Sequence, residues 1–106
     1  MTSISQKPNI VFIVLDTHRK DRLSFYGYKK PTSPNLDAFA SGATVFETAV
    51  SPAQWTIPSH ASMFSGEFPA THQTVQSSDA LDPYFKTLAE WLQGSGYYRS
   101  GFCNNP

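Results

Sequence analysis

One segment narrows the choice of folds at once. Ile10 to Leu15 (IVFIVL) is an unbroken run of aliphatic and aromatic side chains that stops at Asp16. Continuous apolarity, in place of alternation, describes a strand covered on both faces, as in a parallel α/β sheet. Ala43 to Ala49 reads as a second short strand. Tyr97 to Cys103 reads as a third, cut off by Asn104-Asn105-Pro106.

Helix signals fall between these runs. Asp16 to Thr32 is polar, with Gly27 and Pro31 as breakers, and reads as a loop. Ser33-Pro34 supplies an N-cap with proline at the first helical position; Leu36, Phe39 and Ala40 form an apolar stripe, and Gly42 is the stop. After a Pro- and Ser-rich loop over Ser51 to Pro58, a short helix is expected to begin near Pro58 or Ser59 and to end by Gly66. Glu67 to Ala80 is polar and reads as irregular. Asp82-Pro83 looks like another N-cap. Tyr84, Leu88, Trp91 and Leu92 follow at i, i+4, i+7 and i+8, the stripe of a helix packed on a sheet, ended by Gly94 or Gly96. Strands buried on both faces cannot shield each other in so short a series, so missing sheet neighbours are expected, with a partner chain or an unusually exposed sheet as the alternatives. Trp55 and Trp91 are expected in the core or a pocket wall.

The chain has 106 residues, which allows one small domain that buries only about two-thirds of its unfolded surface. Eight basic residues balance eight acidic ones without a long run of either sign, which argues against a nucleic-acid surface. The nearest basic cluster, His18-Arg19-Lys20 with Arg22, is interrupted by Asp21 and reads as a solvated loop. A lone cysteine, Cys103, excludes an intrachain disulfide and is expected as a small buried hydrophobe. Met1 to Pro8 is polar, and the apolar run after it is too short for a membrane span. With no signal-peptide pattern, the expectation is a cytoplasmic protein without a membrane partner.

Two features carry chemistry. Asp16 stands at the carboxyl end of the first run, where open α/β sheets bind ligands. It is either an oxygen ligand for a hard cation or the start of a turn. The second feature is Trp55-Thr56-Ile57-Pro58-Ser59-His60-Ala61-Ser62-Met63-Phe64-Ser65-Gly66. A hydroxyl at a helix start lies near unpaired N–H groups and the positive end of the dipole, which suits an oxyanion. His60 stands four residues after Thr56, on the same face if the helix includes both. It then donates to the Thr56 oxygen or to a substrate oxygen. The alternative is plain: Thr56 or Ser59 caps the helix and His60 is exposed. His18 and His72 lie in polar stretches with no second ligand at metal spacing. Arg19, Asp21 and Tyr26 are candidates for the same pocket.

Asn9 to Asp16, then Pro34-Asn35-Leu36-Asp37 and Gly42, resemble the opening of the sulfatase family, within the alkaline phosphatase superfamily. Thr56-Ile57-Pro58-Ser59-His60-Ala61-Ser62 with Ser65-Gly66 resembles the family signature of Cys or Ser, any residue, Pro, Ser, Arg. Thr87 to Leu92 with Gly96-Tyr97 resembles the next helix and strand. The resemblance implies an α/β fold: part of an alkaline phosphatase-like three-layer sandwich with a mostly parallel sheet, residues 1–106 being the N-terminal part of the catalytic domain. It implies metal-assisted attack on a small-molecule sulfate or phosphate ester. Asp16, Thr17 and Thr56 would hold a divalent ion (Ca, Mn, Mg or Zn), Thr56 would be the nucleophile, and His60 would replace the family's arginine. Typical members oxidise the Cys or Ser to formylglycine. The β-methyl of Thr56 prevents an aldehyde, so an unmodified hydroxyl and phosphoester chemistry become the alternative, with a non-catalytic binding protein as the third reading. Thr17 replaces a second Asp, as in a subgroup with Asp-Thr-x-Arg-x-Asp, and Asn104 aligns with a family lysine. The family's remaining ligands come from a later segment, so the rest of the catalytic domain is expected to be missing here.

Overall fold

A computed structural model describes residues 7–103. Its regular elements are α1 (Pro34–Ala40), α2 (Thr56–Ser65), α3 (Pro69–His72) and α4 (Leu88–Gly94), with single 3₁₀ turns at Lys20–Arg22 and Ser24–Tyr26. No strand forms among the described residues. The segments expected as strands, 10–15, 43–49 and 97–103, carry no regular structure. The expected mostly parallel sheet is therefore not present among these residues. A strand is defined by ladder bonds to a neighbour, and a continuous apolar run supplies none of those by itself. Val11 and Ile13 stand 81% and 75% exposed, so one face of the run meant for burial on both is uncovered, and Phe12 and Val14 on the other face are covered only in part. Asn104 lies outside the described residues.

The helices follow local chemistry. α1 begins at Pro34 as expected and stops at Ala40, where the Ser41 N–H bonds back to the Asp37 carbonyl. Ser33 occupies the N-cap position without capping. Its hydroxyl donates to Asp37 Oδ1 at 2.8 Å and accepts the Ser24 backbone N–H at 2.9 Å. The same Asp37 oxygen accepts the Phe25 N–H at 3.2 Å, which ties the 3₁₀ turn to α1. The apolar stripe of α1 is uncovered, with Leu36 and Phe39 both exposed.

α2 starts at Thr56, earlier than the Pro58 or Ser59 expected, and its C-cap Gly66 is left-handed at φ +77°. Pro58 fits the first turn because the N–H groups there have no intrahelical acceptor to lose. The segment 67–80, expected to be irregular, contains α3 with Pro69 at its start. α4 does not begin at Asp82. That carboxylate accepts the Tyr84 N–H at 2.8 Å and closes a turn. The helix begins after Thr87, where a capping box operates: Thr87 Oγ1 accepts the Glu90 N–H and Glu90 Oε2 accepts the Thr87 N–H at 2.7 Å. Reciprocal caps satisfy two orphan donors, which Asp82-Pro83 does not.

Burial concentrates on α2 (Pro58, Ala61 and Ser62), with Ser33, His72 and Thr74 elsewhere. Trp55, Trp91 and Cys103 are exposed, contrary to expectation, because the sheet that would cover them is not there. No helix among the described residues is long and apolar enough to cross a membrane.

Candidate active site

Long-range contacts bring the first apolar run alongside α2. Lys7 Nζ donates to the Ser95 carbonyl after α4, which anchors the start of the run. The Phe12 ring meets the Phe64 ring edge-on at 6.0 Å, which lays the run beside α2. Asp16, at the end of the run, then faces the first residue of the helix. Thr56 Oγ1 lies 3.2 Å from Asp16 Oδ2 and 3.3 Å from Oδ1, with its hydroxyl donating to the carboxylate. The hydroxyl does not cap the helix, whose N-cap is Trp55.

Thr17 turns the chain away directly after Asp16. Its φ of +60° is left-handed, a costly conformation for a β-branched residue. Strain of this kind costs on the order of 1–3 kcal/mol and clusters at functional sites. Thr17 Oγ1 reaches Asp16 Oδ1 at 3.4 Å, so three oxygen-bearing side chains, Asp16, Thr17 and Thr56, gather at one point. His60 sits one turn along α2 from Thr56, partly buried, with its ring 6.2 Å from the Phe64 ring. It forms no hydrogen bond with Thr56. Among the described residues no group of three or more His, Cys, Asp or Glu converges in a metal-binding cluster.

The loop after Thr17 lines a cavity that Asp16, Thr17 and Thr56 do not border, so the expected shared pocket is not formed among the described residues. Arg19, Lys20, Asp21 and Tyr26 line an open cavity of about 390 Å³. Arg19 forks onto Asp21 through Nε at 2.9 Å and Nη2 at 2.6 Å. That bond raises the guanidinium's pKa and holds the Asp21 carboxyl below the usual carboxylate range. Lys20 Nζ lies 4.4 Å from the Tyr26 ring centroid and donates to the Glu47 carbonyl. Tyr26 Oη donates to the Phe46 carbonyl at 2.7 Å, so the loop is fastened to the segment preceding α2.

His72, set aside on sequence grounds, is buried at 4% exposure. Its Nε2 lies 2.9 Å from Ser62 Oγ, and its Nδ1 accepts the Thr74 backbone N–H at 3.0 Å. A serine beside a histidine resembles a nucleophile with its base. The Thr74 N–H reverses that reading. A nitrogen that accepts carries no proton, so in the neutral ring Nε2 holds it and donates to Ser62. Proline at the start of α3 was the local signal for this turn; the partner ten residues away was not readable from spacing.

The sequence model of the Sulfatase family matches residues 8–105. The chain belongs to the sulfatase family. As a member it is 34% identical over 91 residues to an ulvan-active sulfatase of Formosa agariphila, covering 86% of this chain and 18% of that protein. It is 34% identical over 93 residues to an arylsulfatase of Clostridium perfringens, covering 87% of this chain and 19% of the relative. Human arylsulfatase A is also 34% identical, over 101 residues, with 90% and 20% covered. This sulfatase-family chain thus spans about a fifth of the length of the curated relatives it matches. No solved structure gives a significant match.

Proposed function

We propose that this chain supplies the nucleophile-bearing part of a metal-dependent, sulfatase-like hydrolase, and that the unmodified hydroxyl of Thr56 is the attacking atom. The observation that carries the reading is the approach of Thr56 Oγ1 to within 3.2 Å of the Asp16 carboxylate. The reading requires further ligands from beyond these 106 residues, on the same or another polypeptide.

The donor set fits a hard divalent cation. Its atoms are all oxygens, and neighbouring ligands at right angles on one ion lie about 3.0 Å apart for Mg²⁺ and about 3.4 Å for Ca²⁺, from their usual bond lengths. The separations here, 3.2 to 3.4 Å, fall in that range. Asp16, Thr17 and Thr56 would hold the ion. When bound, it neutralises charge on the transferring group and lowers the pKa of a ligating hydroxyl.

The protein's own residues do the rest. Asp16 accepts the Thr56 hydroxyl hydrogen and so orients the oxygen. The N-terminal end of α2 favours negative charge on that oxygen and on the tetrahedral group beside it. Thr56 Oγ1 gives its proton to the Asp16 carboxylate and bonds to sulfur or phosphorus, while the bond from that atom to the ester oxygen breaks and the departing oxygen takes a proton from His60. Water then cleaves the sulfo- or phospho-threonine, which restores the hydroxyl. His60, one turn along, is the candidate proton donor on this chain.

Sulfate esters follow from the family. Phosphate esters are the second reading, favoured by Thr56 itself, since oxidation of a β-methyl-bearing side chain cannot give an aldehyde. The test pairs an aryl sulfate with an aryl phosphate, assayed with and without Mn²⁺ on the natural full-length protein and its Thr56→Ala variant. Metal-dependent turnover of either ester that disappears in the variant is expected. Full activity in Thr56→Ala excludes the nucleophile. No turnover of either ester by the metal-loaded wild type favours a binding protein.

A further inference from the structure

α2 is held at both ends by side-chain contacts, and the distal one involves no residue of the proposed chemistry. Thr56 meets Asp16 at the first turn. Ser62, further along, meets His72. Ser62, His72 and Thr74 are all buried, so water does not compete for their hydrogen bonds. The Thr74 N–H enters Nδ1 at 3.0 Å, and Nε2 reaches Ser62 Oγ at 2.9 Å. Both ring nitrogens are thereby used, in one direction only: backbone into ring, ring into α2. Pro69 at the start of α3 and a left-handed Gln73 at φ +56° fix the ring's own segment.

We infer that His72 is a positioning residue for Thr56: its Nε2–H tautomer brackets α2 against α3 and thereby sets the separation between the Thr56 hydroxyl and the Asp16 carboxylate. Six residues separate Ser62 from Thr56, about 9 Å along the helix axis. Releasing the bracket leaves the Phe12–Phe64 contact as the distal pivot, and a tilt of about 10° there moves Thr56 by about 2 Å. A contact of 3.2 Å does not survive such a shift. A misplacement of about 1 Å at a reacting atom costs on the order of a hundredfold in rate. The catalytic consequence rests on the reading of Thr56 as nucleophile; the geometric one does not.

Two kinds of measurement keep those claims separate. Long-range ¹H–¹⁵N spectra of the wild-type protein should show His72 protonated at Nε2 and bare at Nδ1; the opposite tautomer overturns the inference. In His72→Ala the Thr56 methyl resonance should move and kcat should fall at least tenfold with KM little changed. His72→Gln, which keeps an amide N–H for Ser62, should recover most of both. Ser62→Ala should move the Thr56 methyl in the same direction, and it carries the test if His72→Ala does not fold. A Thr56 resonance left in place by folded variants refutes the bracket. A displaced Thr56 in a protein whose wild type hydrolyses nothing upholds the bracket and refutes the nucleophile.

Discussion

Thr56 differs from its neighbours on α2 in where its oxygen goes. Ser59 and Ser65 turn their hydroxyls back onto the carbonyls of Trp55 and Ala61, within or at the edge of their own helix. Thr56 leaves the helix to reach a carboxylate 40 positions earlier in the chain. Replacing it with alanine should lower turnover by at least about 10³-fold, the scale expected when a nucleophile is removed. Thr56→Ser should keep measurable activity. Steady-state kinetics on the pair checks this, and equal losses in both variants would point to the β-methyl instead of the oxygen. Asp16→Asn removes the one charged ligand of the proposed set. It should weaken Mn²⁺ or Ca²⁺ binding by at least about tenfold in calorimetric titration. As candidates, Asp16 and Thr56 stand out in the sequence because one closes an apolar run and the other stands just before the expected helix start. His72 does not, since its meaning comes from a serine and a backbone amide that only the fold brings to it.

At the level of elements, punctuation proved readable and pairing did not. Pro34 and Gly66 marked one boundary each of α1 and α2. Gly66→Ala should cost about 1 kcal/mol, because its left-handed φ penalises any Cβ. No atom lies within 4 Å of where that Cβ would stand, so crowding contributes nothing. Denaturant titration measures the loss. The start of α4 was misplaced because Asp82-Pro83 precedes the stronger Thr87–Glu90 capping box. That box makes a pH prediction. The Thr87 backbone N–H, and then its hydroxyl, hold the Glu90 carboxyl below its ordinary range. A depressed folded-state value means the stabilisation is present above the usual glutamate pKa and is lost as pH falls through the lowered one. Helicity at α4 should decline on acidification through that window, and Glu90→Gln should flatten the decline. Equal acid profiles in both proteins would assign the effect elsewhere. The expected strands are legible as apolar runs only, and none forms among the described residues. Whether a run becomes a strand depends on a neighbour that no local pattern encodes.

The whole molecule is more open than its length requires. Its radius of gyration is 16.9 Å, against about 13 Å for a compact domain of this size. Val11, Phe39, Phe46 and Phe68 lie largely exposed, an amount of apolar surface that soluble monomers do not usually leave uncovered. The 106-residue chain by itself should bind a hydrophobic dye strongly and show no measurable ester hydrolysis; robust metal-dependent turnover by it would contradict the need for further ligands. A Thr56 nucleophile must carry the transferred group during turnover. Peptide mass mapping of the natural full-length protein, quenched during turnover of an aryl sulfate or aryl phosphate, should find Thr56 unmodified at rest and carrying a sulfo or phospho group in the quenched sample. Turnover with Thr56 never labelled, and undiminished in Thr56→Ala, would contradict it.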